Sequence, residues 1–121
     1  MKKSTNILVS DPDSPFCNVL CKVLTKEGYT VTCVPNAHQA LQHLQAAEYT
    51  FVIVNIADRK PENLALLQSF FEHAKKARVI VTTNFQDEAF SQKNISMGAI
   101  GCFMKPFKRE QILTAIEQSL K

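Results

Sequence analysis

Along this chain, short runs of consecutive apolar residues alternate with longer stretches in which apolar residues recur every three or four positions. The runs are "NILVS" (6–10), "YTVTCV" (29–34), the "FVIV" within "TFVIVNIADRK" (50–60), "RVIVTT" (78–83) and "GCFM" (101–104). Rich in β-branched and aromatic residues, they predict five strands, most of them buried on both faces. Between them the periodicity changes to that of helices. The first helix is expected over about 15–27, with Phe16, Val19, Leu20, Val23 and Leu24 at the spacing of a buried stripe. Ser14 or Asp13 can cap it, Pro15 suits its first turn and Gly28 its end.

Asn36 is placed to cap a second helix running through Ala47, with Ala40, Leu41 and Leu44 inward. After Pro61 a third is expected over about 62–76, carrying Leu64, Leu67, Phe70, Phe71 and Ala74. A weakly amphipathic fourth covers about 87–96, and Met97-Gly98-Ala99 turns the chain into the fifth strand. The last helix, about 108–120, buries Ile112, Leu113, Ile116 and Leu120. Five strand–helix units with apolar strands imply a parallel sheet covered on both faces. Right-handed crossovers then give a three-layer, doubly wound α/β fold, a single domain over 1–121.

Composition narrows the function classes. An apolar fraction of 45% and a charged fraction of 21% belong to a globular chain, not a disordered one. The net charge of +3 is spread over the sequence, so no basic stripe argues for nucleic-acid binding. No segment approaches the roughly eighteen apolar residues of a membrane span, and the charged start with three apolar residues before Ser10 is no signal peptide. A cytoplasmic domain is expected. Cys17, Cys21, Cys33 and Cys102 form no CxxC pair and read as reduced, small apolar residues. Cys17 and Cys21 share a helix face, which with a histidine would suit zinc.

In open α/β sheets, chemistry gathers at the carboxyl ends of the strands. Here those ends carry Asp11, Pro12 and Asp13, then Asn55, then Thr82 and Thr83, then Lys105. Each has a plain structural use: a cap, a satisfied backbone group, a solvated ammonium. Together, acid, amide, hydroxyl and ammonium at four strand ends suggest one crevice.

These residues also carry a resemblance that covers the whole chain. "ILVSDPDSPFCNVLCKVLTKEGYTV", "YTFVIVNIADRKPENLALL", "RVIVTTN" and "MGAIGCFMKPF" resemble, in type and spacing, the receiver domain of two-component response regulators. The resemblance implies a flavodoxin-like sheet of order 2-1-3-4-5. It also implies a pocket in which carboxylates hold Mg²⁺, a strand-three aspartate accepts phosphate from a histidine kinase, and a hydroxyl and a lysine contact the phosphoryl group. Asp11, Thr83 and Lys105 match the first acid, the hydroxyl and the lysine.

Three positions depart from that pattern. Asn55 stands at the acceptor position, and a neutral amide is no match for a carboxylate as a nucleophile. Pro12 stands at the second acid and offers no side-chain oxygen to a hard cation. Cys102 stands at the switch position, where the family usually has Tyr or Phe; Phe103 points to the other side of the strand. Asp58 lies too far into its loop to replace the acceptor.

The expected pocket is therefore Asp11, Pro12, Asp13, Asn55, Thr83 and Lys105, with no catalytic residue, no cofactor and weak or absent Mg²⁺ binding. Asp11 should meet Lys105, Asn55 should hydrogen-bond into the gap between them, and Asp13 should face outward or cap the helix. The expected role is a phosphorylation-independent pseudo-receiver that is not an enzyme. It would bind a signalling partner through the fourth helix, fifth strand and fifth helix, with Phe85, Phe90, Ile95 and Met104 mostly core. The alternative is a conventional Mg²⁺-dependent phosphoacceptor with Asn55 engineered in place of Asp. A flavin carrier on the same scaffold is disfavoured, because "SDPDSP" puts carboxylates where a phosphate-binding loop would be.

Overall fold

The structure, a computed structural model, describes residues 5–74 and 76–121. The elements run β1 (Asn6–Ser10), α1 (Ser14–Lys26), β2 (Thr30–Val34), α2 (Ala37–Ala46), β3 (Phe51–Ile56), α3 (Pro61–His73), β4 (Arg78–Thr83), α4 (Glu88–Ser96), β5 (Gly101–Met104) and α5 (Arg109–Leu120). All strand pairs are parallel and the sheet order is β2-β1-β3-β4-β5. This is the expected α/β architecture. The third helix stops at His73, short of the expected 76, and Lys75 lies outside the described residues.

Strand alternation divides the core in two. Ile7 and Val9, Phe51 and Ile53, and Ile80 pack with Leu20 and Leu24 of α1 and Ile112 and Ile116 of α5. Leu8, Val52, Val54, Ile56, Val79 and Val81 pack on the other face with Ala40, Leu67 and Phe70 of α2 and α3. Phe51 and Phe70 are fully buried, and burial of such side chains contributes about 2–3 kcal/mol each before ordering costs.

Local signals set the helix ends. The Asp13 carboxylate accepts the Phe16 N–H at 3.2 Å and Asn36 accepts the Gln39 N–H at 2.8 Å, so both act as N-caps. Gly28, with φ of 99°, follows α1 in the left-handed region that glycine enters without strain.

Five side chains expected in the core are on the surface. Val19 is 62% exposed, and Ile95, Met104, Leu64 and Leu120 are 40% exposed or more. The inner face of α1 is completed by Cys17 and Cys21 instead of Val19. Two residues on from Cys17, Val19 lies about 200° round the helix, on the face turned away from that stripe.

Candidate functional site

The carboxyl ends of β1, β3 and β5 deliver Asp11, Asn55 and Lys105 to one crevice. The strongest feature there is an ion pair. Lys105 Nζ lies 2.8 Å from Asp11 Oδ2, with the two side chains only 12% and 2% exposed. The expected contact between these residues is present. The ammonium also lies 4.0 Å from the centroid of the Phe16 ring, a cation–π approach that α1 supplies from the same side. The second Asp11 oxygen is engaged as well, since Oδ1 accepts the Asp13 N–H at 2.9 Å. Lys105 is fixed at its backbone too, its N–H donating to the Thr83 carbonyl at 2.8 Å.

Asn55 does not bridge the pair, contrary to expectation. Its amide nitrogen turns along the sheet edge and donates to Thr82 Oγ1 at 3.1 Å and to Asn84 Oδ1 at 3.1 Å. Register explains the choice. Asn55 pairs with Thr82 across the β3–β4 ladder, so the two side chains share a face. Thr83, one residue on, points to the opposite face, where its hydroxyl donates to the Phe85 carbonyl at 2.8 Å. Asn84 was missed by sequence reading. Thr82 was collected there but passed over for Thr83, although strand alternation pairs it with Asn55.

A chain with this topology, acidic β1 turn, polar β3 terminus, β4 hydroxyls and β5 Lys-Pro end matches a family model, the response regulator receiver domain, over residues 7–117. The chain belongs to the response regulator receiver family.

Similar curated proteins include the response regulator protein TodT of Pseudomonas putida (strain F1), 24% identical over 98% of this chain and 52% of TodT. A probable C4-dicarboxylate response regulator, DctR of Priestia megaterium, is 27% identical over 97% of this chain and 52% of its own length. This receiver thus spans about half the length of those relatives. Among solved structures, a Burkholderia pseudomallei response regulator with a phosphorylated aspartic acid, calcium ion and citrate aligns at a TM-score of 0.79. It is 26% identical, over 97% of this chain and 72% of that one. A CheY-like receiver from Methanospirillum hungatei aligns at a TM-score of 0.84 with 22% identity, over 96% of this chain and 93% of that one, and supports the fold.

The remaining pocket positions follow their local chemistry. Pro12 and Asp13 are both exposed, and Asp13 spends its carboxylate on the α1 cap. Asp58 is occupied in its own loop, accepting from the Lys60 N–H at 2.9 Å and from Asn63 Nδ2 at 2.7 Å. The Lys60 N–H, with help from Asn63, holds its carboxyl below the usual carboxylate range. The Arg59 guanidinium reaches Asp87, which also caps α4 at the Phe90 N–H. That pairing ties the receiver's β3–α3 loop to the start of α4.

The half-buried Cys102, expected at the switch position, turns towards α4, with Sγ 3.4 Å from Ser91 Oγ and 3.8 Å from Asn94 Nδ2. Phe103 packs on the opposite face beside Phe107, as expected. Phe85 and Phe90 are partly buried against the core, whereas Ile95 (46% exposed) and Met104 (42% exposed) are surface residues, not core.

The other cysteines depart from the expectation of dispersed, reduced apolar fillers. Cys21 of α1 and Cys33 of β2 are joined as a disulfide, and Cys17 is a buried free thiol. The three sulfurs lie within 4.8 Å of one another. Burial, and then the nearby Asp11 carboxylate, push the Cys17 thiol pKa up. No helix among the described residues is long and apolar enough to cross a membrane.

Proposed function

We propose that this receiver works as a phosphorylation-independent interaction module, a pseudo-receiver without phosphotransfer activity. The observation that carries this reading is Asn55 at the end of β3, where an acceptor needs a carboxylate. Its amide nitrogen is committed to Thr82 and Asn84, and Lys105 is committed to Asp11.

The donor set does not suit a divalent cation. Mg²⁺ asks for oxygen ligands in near-octahedral array, usually with one or two carboxylates. Both Asp11 oxygens are engaged, Pro12 has no side-chain oxygen and Asp13 faces away as a cap. Loss of two acids leaves one carboxylate and one ammonium, a balanced pair that needs no cation.

The proposed partner is a signalling protein, docked on α4, β5 and α5. Ile95 and Met104 present apolar surface there, and a groove of about 770 Å³ runs between β5 and α5 past Ile100, Phe103, Thr114 and Ala115. No nucleic-acid role is assigned to this domain.

Intact mass after incubation with a small acyl phosphate and Mg²⁺ tests the proposal. The expected result is an unchanged mass for this chain. A covalent phosphate on it would overturn the reading. Uptake by Asn55→Asp, at the rate of an ordinary receiver, would favour the alternative that Asn55 replaces a natural acceptor.

A further inference from the structure

Apart from the receiver crevice, a second cluster of reactive side chains among the described residues is assembled from separate elements. Cys17 and Cys21 lie one turn apart on the inner face of α1. Cys33 comes from β2, the edge strand of the sheet, and its Sγ lies 3.7 Å from the Cys17 carbonyl oxygen. Each residue brings its sulfur to within 4.8 Å of the other two.

We propose that, in the reduced chain, Cys17, Cys21 and Cys33 form a three-sulfur site for one soft metal ion, Cu(I). Metal–thiolate bonds are about 2.3 Å long, so a trigonal site separates its sulfurs by roughly 4.0 Å. The three sulfurs, already within 4.8 Å of one another, form a cluster of that size. The Cα atoms of Cys21 and Cys33 are 6.9 Å apart, at the far edge of what a direct S–S link spans. A bridging ion relaxes that constraint and takes in the third sulfur, which a disulfide leaves over.

The choice of ion follows from the donors. Thiolates select soft ions, and Cu(I) is satisfied by three of them, whereas Zn²⁺ prefers a fourth ligand. Among the described residues no further His, Cys, Asp or Glu joins the three. An indentation of about 140 Å³, lined by Cys17, Cys33, Asn18 and Pro35 among others, opens the cluster to solvent and provides an entry path. Binding is a substitution without electron transfer: each thiol releases its proton to solvent and its sulfur lone pair bonds the ion. The metal would pin α1 to the edge of the sheet.

The inference is independent of the phosphorylation question. Its test is anaerobic titration of the fully reduced chain with Cu(I) in competition with a chromophoric chelator. One equivalent should bind, with three sulfur neighbours by X-ray absorption. Cys17→Ser and Cys33→Ser should each weaken binding by at least about a hundredfold, since loss of mere supporting partners already costs 10–100-fold. The absorption spectrum of the unsubstituted protein keeps the test decisive if a variant fails to fold. Failure of the reduced chain to compete for Cu(I), two sulfur neighbours instead of three, or tighter binding of Zn²⁺ in the same assay would overturn the proposal. Loss of two thiols on oxidation, with no Cu(I) uptake after reduction, would assign the cluster to a disulfide alone.

Discussion

Replacing Lys105 by Met probes the ion pair at the centre of the crevice. The substitution keeps most of the side-chain volume and removes the ammonium, leaving Asp11 with its carboxylate 2% exposed and one N–H donor, from Asp13. Breaking one side of a buried pair costs about 3–5 kcal/mol. The retained Asp13 bond points to the lower end, and loss of the ammonium over Phe16 adds about 1 kcal/mol. Urea unfolding at neutral pH should therefore report a loss of roughly 3–4 kcal/mol for Lys105→Met. The double variant Asp11→Asn/Lys105→Met carries no stranded charge and should recover about 2 kcal/mol or more of that loss. Lys76→Met is the control: its pair with Glu48 is 3.4 Å long with both side chains more than 80% exposed, and stability should not change measurably. A Lys105→Met chain as stable as its parent would refute the electrostatic account of this crevice. So would a double variant that merely adds the two single losses.

Three further outcomes test other parts of the structure. Asn55→Ala removes the donor to Thr82 and Asn84 and should cost about 1–2 kcal/mol in the same unfolding assay; a neutral result would mean those bonds contribute nothing. Asn36→Ala deletes the α2 cap at the Gln39 N–H and should cost about 1 kcal/mol, read as a lower urea midpoint at unchanged slope. Asp58 and Asp87 have carboxyls held below their ordinary value, first by the backbone N–H groups of Lys60 and Phe90. Their contribution is present above the ordinary carboxyl value of 3.8 and lost as pH falls through the lowered folded values, so Asp87→Asn should flatten the acid limb of the stability curve. An unchanged acid limb would sink that assignment.

The fold was legible because its signal is redundant. Apolar runs, helical stripes, caps at Asp13 and Asn36 and the glycine after α1 all point to the same alternation, and every strand lies where its run of residues placed it. Side-chain direction was less legible. Val19 satisfies the helical spacing rule, yet α1 is turned so that Cys17 and Cys21 face inward, a rotation set by the sheet's surface and not by α1's own sequence. The same holds within the crevice. Asp11 and Lys105 meet because both follow strand ends at the carboxyl edge of the sheet, where their side chains come together. Asn55, by contrast, chose Thr82 over the gap, following a β3–β4 register that no single strand encodes. The cysteine cluster needed tertiary contact as well, since its third sulfur comes from the edge strand.

A balanced crevice changes what a signal can consist of. In a receiver that gains phosphate, new charge forces the lysine and the hydroxyl to rearrange, and the chemistry supplies the bias between conformations. Here Lys105 is paired with Asp11, and under the proposed phosphorylation-independent function the bias would come from differential binding by a partner. Moving a two-state equilibrium from 1:99 to 99:1 requires about 5.5 kcal/mol of preference for one state. Ile95 and Met104 are each a little under half exposed, so covering both yields about 2 kcal/mol together. Those two residues alone cannot drive the shift. A partner that does so must also fill the groove between β5 and α5, or break and re-form a polar contact such as that between Arg59 and Asp87, which joins the β3–α3 loop to α4. That contact lies between the crevice and the proposed docking face. A partner sensitive to Arg59→Ala, with the fold intact, would therefore be reading the state of the loop as well as the apolar surface.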